Sequence, residues 1–131
     1  TLAIPDRRGN NRLDTLRNII TDPRIALLFL IPGINETLRI NGQARIVTDP
    51  ELIDSFAVGD KKPATVIIVE VGSVYFQCAR ALKRAQIWSP DTHAHREDVP
   101  TAGQMTKAAA PDFDADTYDA ELPARQKATL Y

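Results

Sequence analysis

Residues 25 to 47 hold two β signatures of different kinds in close succession, and few folds accommodate both. Ile25 to Ile31 is apolar without a break, the pattern of a strand buried on both faces, as in a closed barrel or beneath a helix. Pro32, Gly33 and Asn35 then supply a turn. From Thr37 the pattern alternates: Leu38, Ile40, Ala44 and Ile46 fall on one face, while Thr37, Arg39, Asn41, Gln43 and Arg45 fall on the other. Gly42, in the middle of so long a strand, predicts a bend or a bulge. The polar face is either wet or binds something polar.

The residues upstream complete a strand, loop, helix unit. An apolar lead at Leu2–Ile4 is followed by the loop DRRGNNR and a short amphipathic segment. Asn10 or Asn11 is placed to cap that helix, and Asp14 adds a carboxylate in the first turn, where unpaired N–H groups and the helix dipole favour it. Leu13, Leu16, Ile19 and Ile20 share one face. Thr21-Asp22-Pro23 ends the helix, because the residue before a proline is pushed out of the α region. Arg7, Arg8 and Arg12 are thereby gathered around a helix N-terminus. Free N–H groups and guanidinium forks both suit a phosphate dianion, although a solvated loop beside a capped helix gives the same pattern.

Downstream, Thr48-Asp49-Pro50-Glu51 starts a helix, with a cap, a proline at the first helical position and an early acid. Leu52, Ile53 and Phe56 form its apolar face, and Gly59 to Pro63 ends it. The β-branched run from Ala64 to Val71 is a further strand, which Gly72-Ser73 breaks or bulges before Val74-Tyr75-Phe76. Cys78 to Trp88 reads as a helix with Leu82 and Ala85 inward and Arg80, Lys83 and Arg84 outward. Cys78 itself reads as a small buried hydrophobe. Gln104 to Ala110 is a helix stopped by Pro111; a last, acidic one, capped by Asp114 or Asp116, is interrupted by Pro123. The tail has few large apolar residues, mainly Met105, Phe113, Tyr118, Leu122, Leu130 and Tyr131, too few for its own core, so it must pack on another surface or stay mobile.

Composition narrows the function classes. The chain has 131 residues, 44% of them hydrophobic and 25% charged, which fits one soluble domain with an ordinary core. A net charge of −1 offers no large field to nucleic acid or an anionic membrane, so neither is expected as a partner. No apolar run approaches the ~20 residues that span a bilayer, and no basic-then-apolar leader opens the sequence. The single cysteine excludes an internal disulfide and suits a reducing compartment, so the cytoplasm is the expectation. His93 and His95 with Asp91 mimic a metal cluster but lack a third spaced histidine, and no metal site is expected. There is neither a Walker loop nor a GxGxxG.

The stretches GNNRLDTLRNI, PGINETLRINGQAR, CARALKRAQIW and the closing TLY resemble the FMN-binding split-barrel proteins of the pyridoxamine 5'-phosphate oxidase-like class, and in particular a bacterial subgroup of FMN-dependent enzymes. The resemblance implies a mainly β fold with flanking helices, a split β-barrel of the FMN-binding type. It places a split-barrel domain over residues 1–100 and a helical C-terminal extension over 101–131. It also implies that barrel strands and a basic Ser-Pro-(Arg/Lys)-Gly segment normally precede Leu2, so that this chain begins inside the barrel.

For the site, the resemblance gives Asn10, Asn11 and Arg12 to the flavin phosphate. Thr37 and Arg39 lie beside the isoalloxazine ring, and Lys83, Arg84 and Trp88 reach the flavin across a homodimer with FMN at its interface. Without the resemblance, Thr37 and Arg39 are an ordinary wet strand face, and Lys83, Arg84 and Trp88 an exposed basic helix ending in a half-buried indole. The expected function is that of an FMN-dependent oxidoreductase acting on a small molecule that the sequence does not name. The alternative is a non-catalytic flavin-binding or stress-related protein. The resemblance does not extend to the substrate-phosphate and carboxy-terminal Arg-x-His-type residues of pyridoxamine 5'-phosphate oxidase itself.

Overall fold

The structure, a computed structural model, describes residues 1–9 and 12–130. Two compact units divide the chain, Thr1–Trp88 and Ser89–Tyr131.

In the first unit four antiparallel strands, β1 (Leu2–Asp6), β2 (Arg24–Leu30), β3 (Thr37–Val47) and β4 (Thr65–Gln77), form one curled sheet in the order β1-β4-β3-β2. The register aligns Leu2 with Val69 and Ala44, and Ile4 with Ile67 and Ile46. These residues therefore share a face, and helix α1 (Asp14–Thr21) closes it with Ile19. Leu16, Ile25 and Leu27 pack around the edge of this core. Val69 is fully buried, and burial of a side chain of its kind contributes about 1.5–3 kcal/mol. Val66 and Ile68 alternate to the opposite face and are buried as well; helix α2 (Pro50–Ser55) packs against the same strand.

Glycine decides the register. A Cβ on Gly42 would lie 2.1 Å from the Glu70 carbonyl oxygen, so only a glycine lets β3 approach β4 there. At that point the pairing slips: Asn41 faces Ser73, but Gly42 faces Val71. The extra residue is Gly72, and the predicted bulge is thus on β4, opposite the expected bend.

Several expectations are corrected. The run Ile25–Ile31 is not buried on both faces. It belongs to an edge strand, where Ile25 and Leu27 reach the core while Leu28, Phe29, Leu30 and Ile31 remain exposed. Of the four apolar residues of α1, Leu16 and Ile19 meet the sheet; Leu13 precedes the first turn, and Ile20, one residue further round than Ile19, is 77% exposed. The N-cap position of α1 belongs to Leu13, which makes no side-chain cap; Asn10 and Asn11 lie outside the described residues. Helix α3 is shorter than predicted, Arg80–Ala85, because Gln86 turns into the left-handed region, and Ala85 is exposed. Cys78 is exposed too, since it follows the solvent-facing end of β4.

The second unit is a helical hairpin. Helix α4 (Ala102–Ala109) starts with a capping box between Thr101 and Gln104. Helix α5 (Ala115–Thr129) is capped by Asp114 and runs through Pro123 without interruption. Asp119 of α5 accepts from the Gly103 N–H at 2.8 Å and from the Thr101 hydroxyl, which satisfies the start of α4 from its neighbour. Gly103 is obligatory there, as a Cβ would lie 2.6 Å from the Ala115 carbonyl oxygen.

Candidate functional site: a basic cleft at the end of the sheet

Beside the start of α1 lies an open cleft of about 600 Å³, lined by Asp6, Arg7, Arg8, Gly9, Arg12, Leu13, Lys62 and Ala64. Its position follows from strand pairing. Asp6 pairs with Thr65, and the Asp6 carbonyl accepts from the Ala64 N–H at 2.9 Å, so the segment before β4 is drawn against the loop after β1. That is how Lys62 joins three arginines from which it is remote in sequence.

The four cations are held differently. Arg7 Nη2 donates to the Phe56 carbonyl oxygen at 2.7 Å, which ties the loop to the end of α2. Arg12 Nε donates to Asp14 Oδ2 at 2.6 Å, and Lys62 Nζ lies 2.7 Å from Asp54 Oδ1. Both pairs are well exposed, and such ion pairs are worth roughly 0–1 kcal/mol. An anion with stronger acceptor oxygens can exchange for either carboxylate at little cost. Arg8 is exposed and makes no hydrogen bond or ion pair among the described residues. Leu13, the N-cap residue of α1, brings the positive end of the helix to the cleft wall. A dianion such as phosphate suits this donor set in charge.

The remaining predicted residues lie elsewhere in the unit. Thr37, 5% exposed, and half-buried Arg39 sit at the far end of β3, eight residues from Val47 to Arg39 and so about 26 Å along the strand from the cleft end at ~3.3 Å per residue. Lys83 and Arg84 are exposed in the last turn of α3. Trp88 is half-buried, and its Nε1 donates to the Ile34 carbonyl oxygen at 2.8 Å, which pins the indole to the turn after β2. Neither these residues nor Thr37 and Arg39 line the cleft. Lys62 is the lining cation that sequence reading missed; the signal for it was the strand pairing itself. Among the described residues no group of His, Cys, Asp and Glu is placed to hold a metal ion. No helix described is long and apolar enough to cross a membrane.

A curled, mainly β antiparallel sheet with flanking helices defines the architecture as a split barrel. The sequence profile of pyridoxamine 5'-phosphate oxidase matches residues 1–78, more than half of the chain, and the chain belongs to that family. No curated protein and no solved structure matches it.

Proposed function

We propose that the protein binds FMN and acts as an FMN-dependent oxidoreductase, with the phosphate of the cofactor in the basic cleft. The observation that carries this reading is the cleft itself: Arg7, Arg8, Arg12 and Lys62 converge on one opening at the start of α1. Arg12 is the principal phosphate ligand, since its exposed guanidinium can form a bidentate pair beside the N–H groups of the first turn. Arg8 and Lys62 add charge, and Arg7, committed to the Phe56 carbonyl, holds the loop in position. The bound flavin supplies hydride or electron transfer; the protein orients it and excludes water from its working face.

The ring lies beside the partner's copy of the β3 face that carries Thr37. Two observations support a shared site. The span along β3 from cleft to Thr37 exceeds the length of one FMN extended from phosphate to ring. On the opposite face of the same end of the sheet, Phe29, Val74 and Phe76 are exposed, an apolar patch of the kind that a second protomer covers. Lys83, Arg84 and Trp88, at that end through the Trp88–Ile34 bond, then belong to the partner's contribution.

Flavin titration of Arg12→Ala tests the reading. Each charge-assisted bond contributes about 1.5–3 kcal/mol, so FMN affinity should fall by about tenfold to a hundredfold. Riboflavin, which lacks the phosphate, should bind the variant and the parent alike. Equal losses for both flavins would mean that Arg12 supports the fold and not the phosphate. Reduction of bound flavin by a nicotinamide donor, followed by reoxidation with candidate acceptors, separates an oxidoreductase from a protein that merely holds flavin.

A further inference from the structure

A second anion-binding arrangement lies on the sheet far from the cleft. The register sets Leu28, Arg39 and Tyr75 side by side in one row, with Leu30 and Gln77 in the next row of the same face. Arg39 Nε donates to Gln77 Oε1 at 2.6 Å. This bond fixes the plane of the guanidinium from one side. Its two terminal nitrogens have no hydrogen-bond or ion-pair partner among the described residues, and no carboxylate lies within ion-pair distance. Arg39 is half-buried, whereas Leu28 and Tyr75 beside it are about half exposed. The Tyr75 hydroxyl accepts from Asn41 Nδ2 at a long 3.5 Å, so its own proton remains available to an acceptor.

The chemistry differs from that of the cleft. Four cations suit a dianion; one preorganised fork between apolar neighbours suits a monoanion, because a second charge would have to be desolvated without compensation. We propose that this face is the anion subsite for the substrate, and that the substrate is an apolar or aromatic carboxylic acid. Its carboxylate sits on the terminal nitrogens of Arg39 and the Tyr75 hydroxyl, and its body lies on Leu28 and Leu30. The anion site stands on the geometry alone; its designation as a substrate site rests on the flavin reading above.

The test uses the full chain, labelled with ¹⁵N, and two probes of the same shape, benzoate and neutral benzamide. Benzoate should shift the Arg39 Nε–H resonance and bind at least about tenfold more tightly than benzamide. Arg39→Gln should remove about tenfold of the benzoate affinity and leave benzamide unchanged, and Arg39→Lys, which keeps the charge but loses the fork, should fall between them. Equal binding of the two probes, benzoate shifts elsewhere with Arg39 silent, or full benzoate affinity in Arg39→Gln would each overturn the proposal. Because the probe comparison on the parent chain needs no substitution, a variant that fails to fold does not protect it. FMN titration of the same sample reads the cofactor proposal separately: benzoate selectivity without flavin binding would leave an anion site but withdraw the substrate role.

Discussion

Arginine serves several ends within residues 1–88, and the neighbour decides which. Arg7 spends a nitrogen on a backbone carbonyl and becomes structural, Arg12 pairs with an exposed carboxylate, and Arg39 is braced by a neutral amide that leaves its fork open. Arg24 is paired with Asp22, and this pair carries a pH prediction. The Arg24 hydrogen bonds hold the Asp22 carboxyl down from its ordinary 3.8 to about 2. A depressed acid favours the folded state above its unfolded pKa, and that contribution is lost as the pH falls through the folded value. Asp22 should therefore stabilise the turn between α1 and β2 at neutral pH and cease to do so between about pH 4 and pH 2. Carboxyl carbon shifts followed through that range check it; a midpoint at the ordinary value would show that the pair does not persist in solution. At this scale the sequence was informative where partners are local. Arg12 was legible from its place before a helix, whereas Lys62 was not, because the pairing of Asp6 with Thr65 brings it to the cleft.

At the scale of elements, β3 and β4 depend on one small residue. In Gly42→Ala the new methyl meets the Glu70 carbonyl, a backbone atom that cannot move without breaking the ladder. Overpacking of this sort costs about 1–3 kcal/mol, and the loss should appear in denaturant unfolding as a lower midpoint. A parent-like midpoint would mean that β4 yields at its bulge. Periodicity located every strand, and local chemistry located the Asp49 cap and Pro50 start of α2. It failed where context prevailed: an unbroken apolar run proved to be an edge strand, and α5 passes through a proline that a pattern reading takes as a stop. Helix α2 itself ties both walls of the cleft, through Phe56 to Arg7 and through Asp54 to Lys62. Inorganic phosphate, if it fills the cleft, should slow amide exchange in Pro50–Ser55 more than in α4, and equal effects would place the ion elsewhere.

For the whole molecule, the decisive fact is how much apolar surface the sheet leaves open at one end, with Phe76 77% exposed and Leu28 to Ile31 lying along an unpaired edge. Sedimentation at micromolar concentration should give a dimer, and FMN should tighten it, since a ligand held by two protomers favours their association. A monomer with flavin still bound would refute the shared site. The sequence signalled the apolar run but not its exposure, because exposure depends on which strands stand beside β2. An edge of this composition is also a template. Consecutive apolar residues from Ile25 to Ile31, with neither charge nor proline among them, are what stacks into cross-β fibrils. If a second protomer covers β2, whatever uncovers it, by dilution or by heat, exchanges an interface that closes on itself for one that can grow without end.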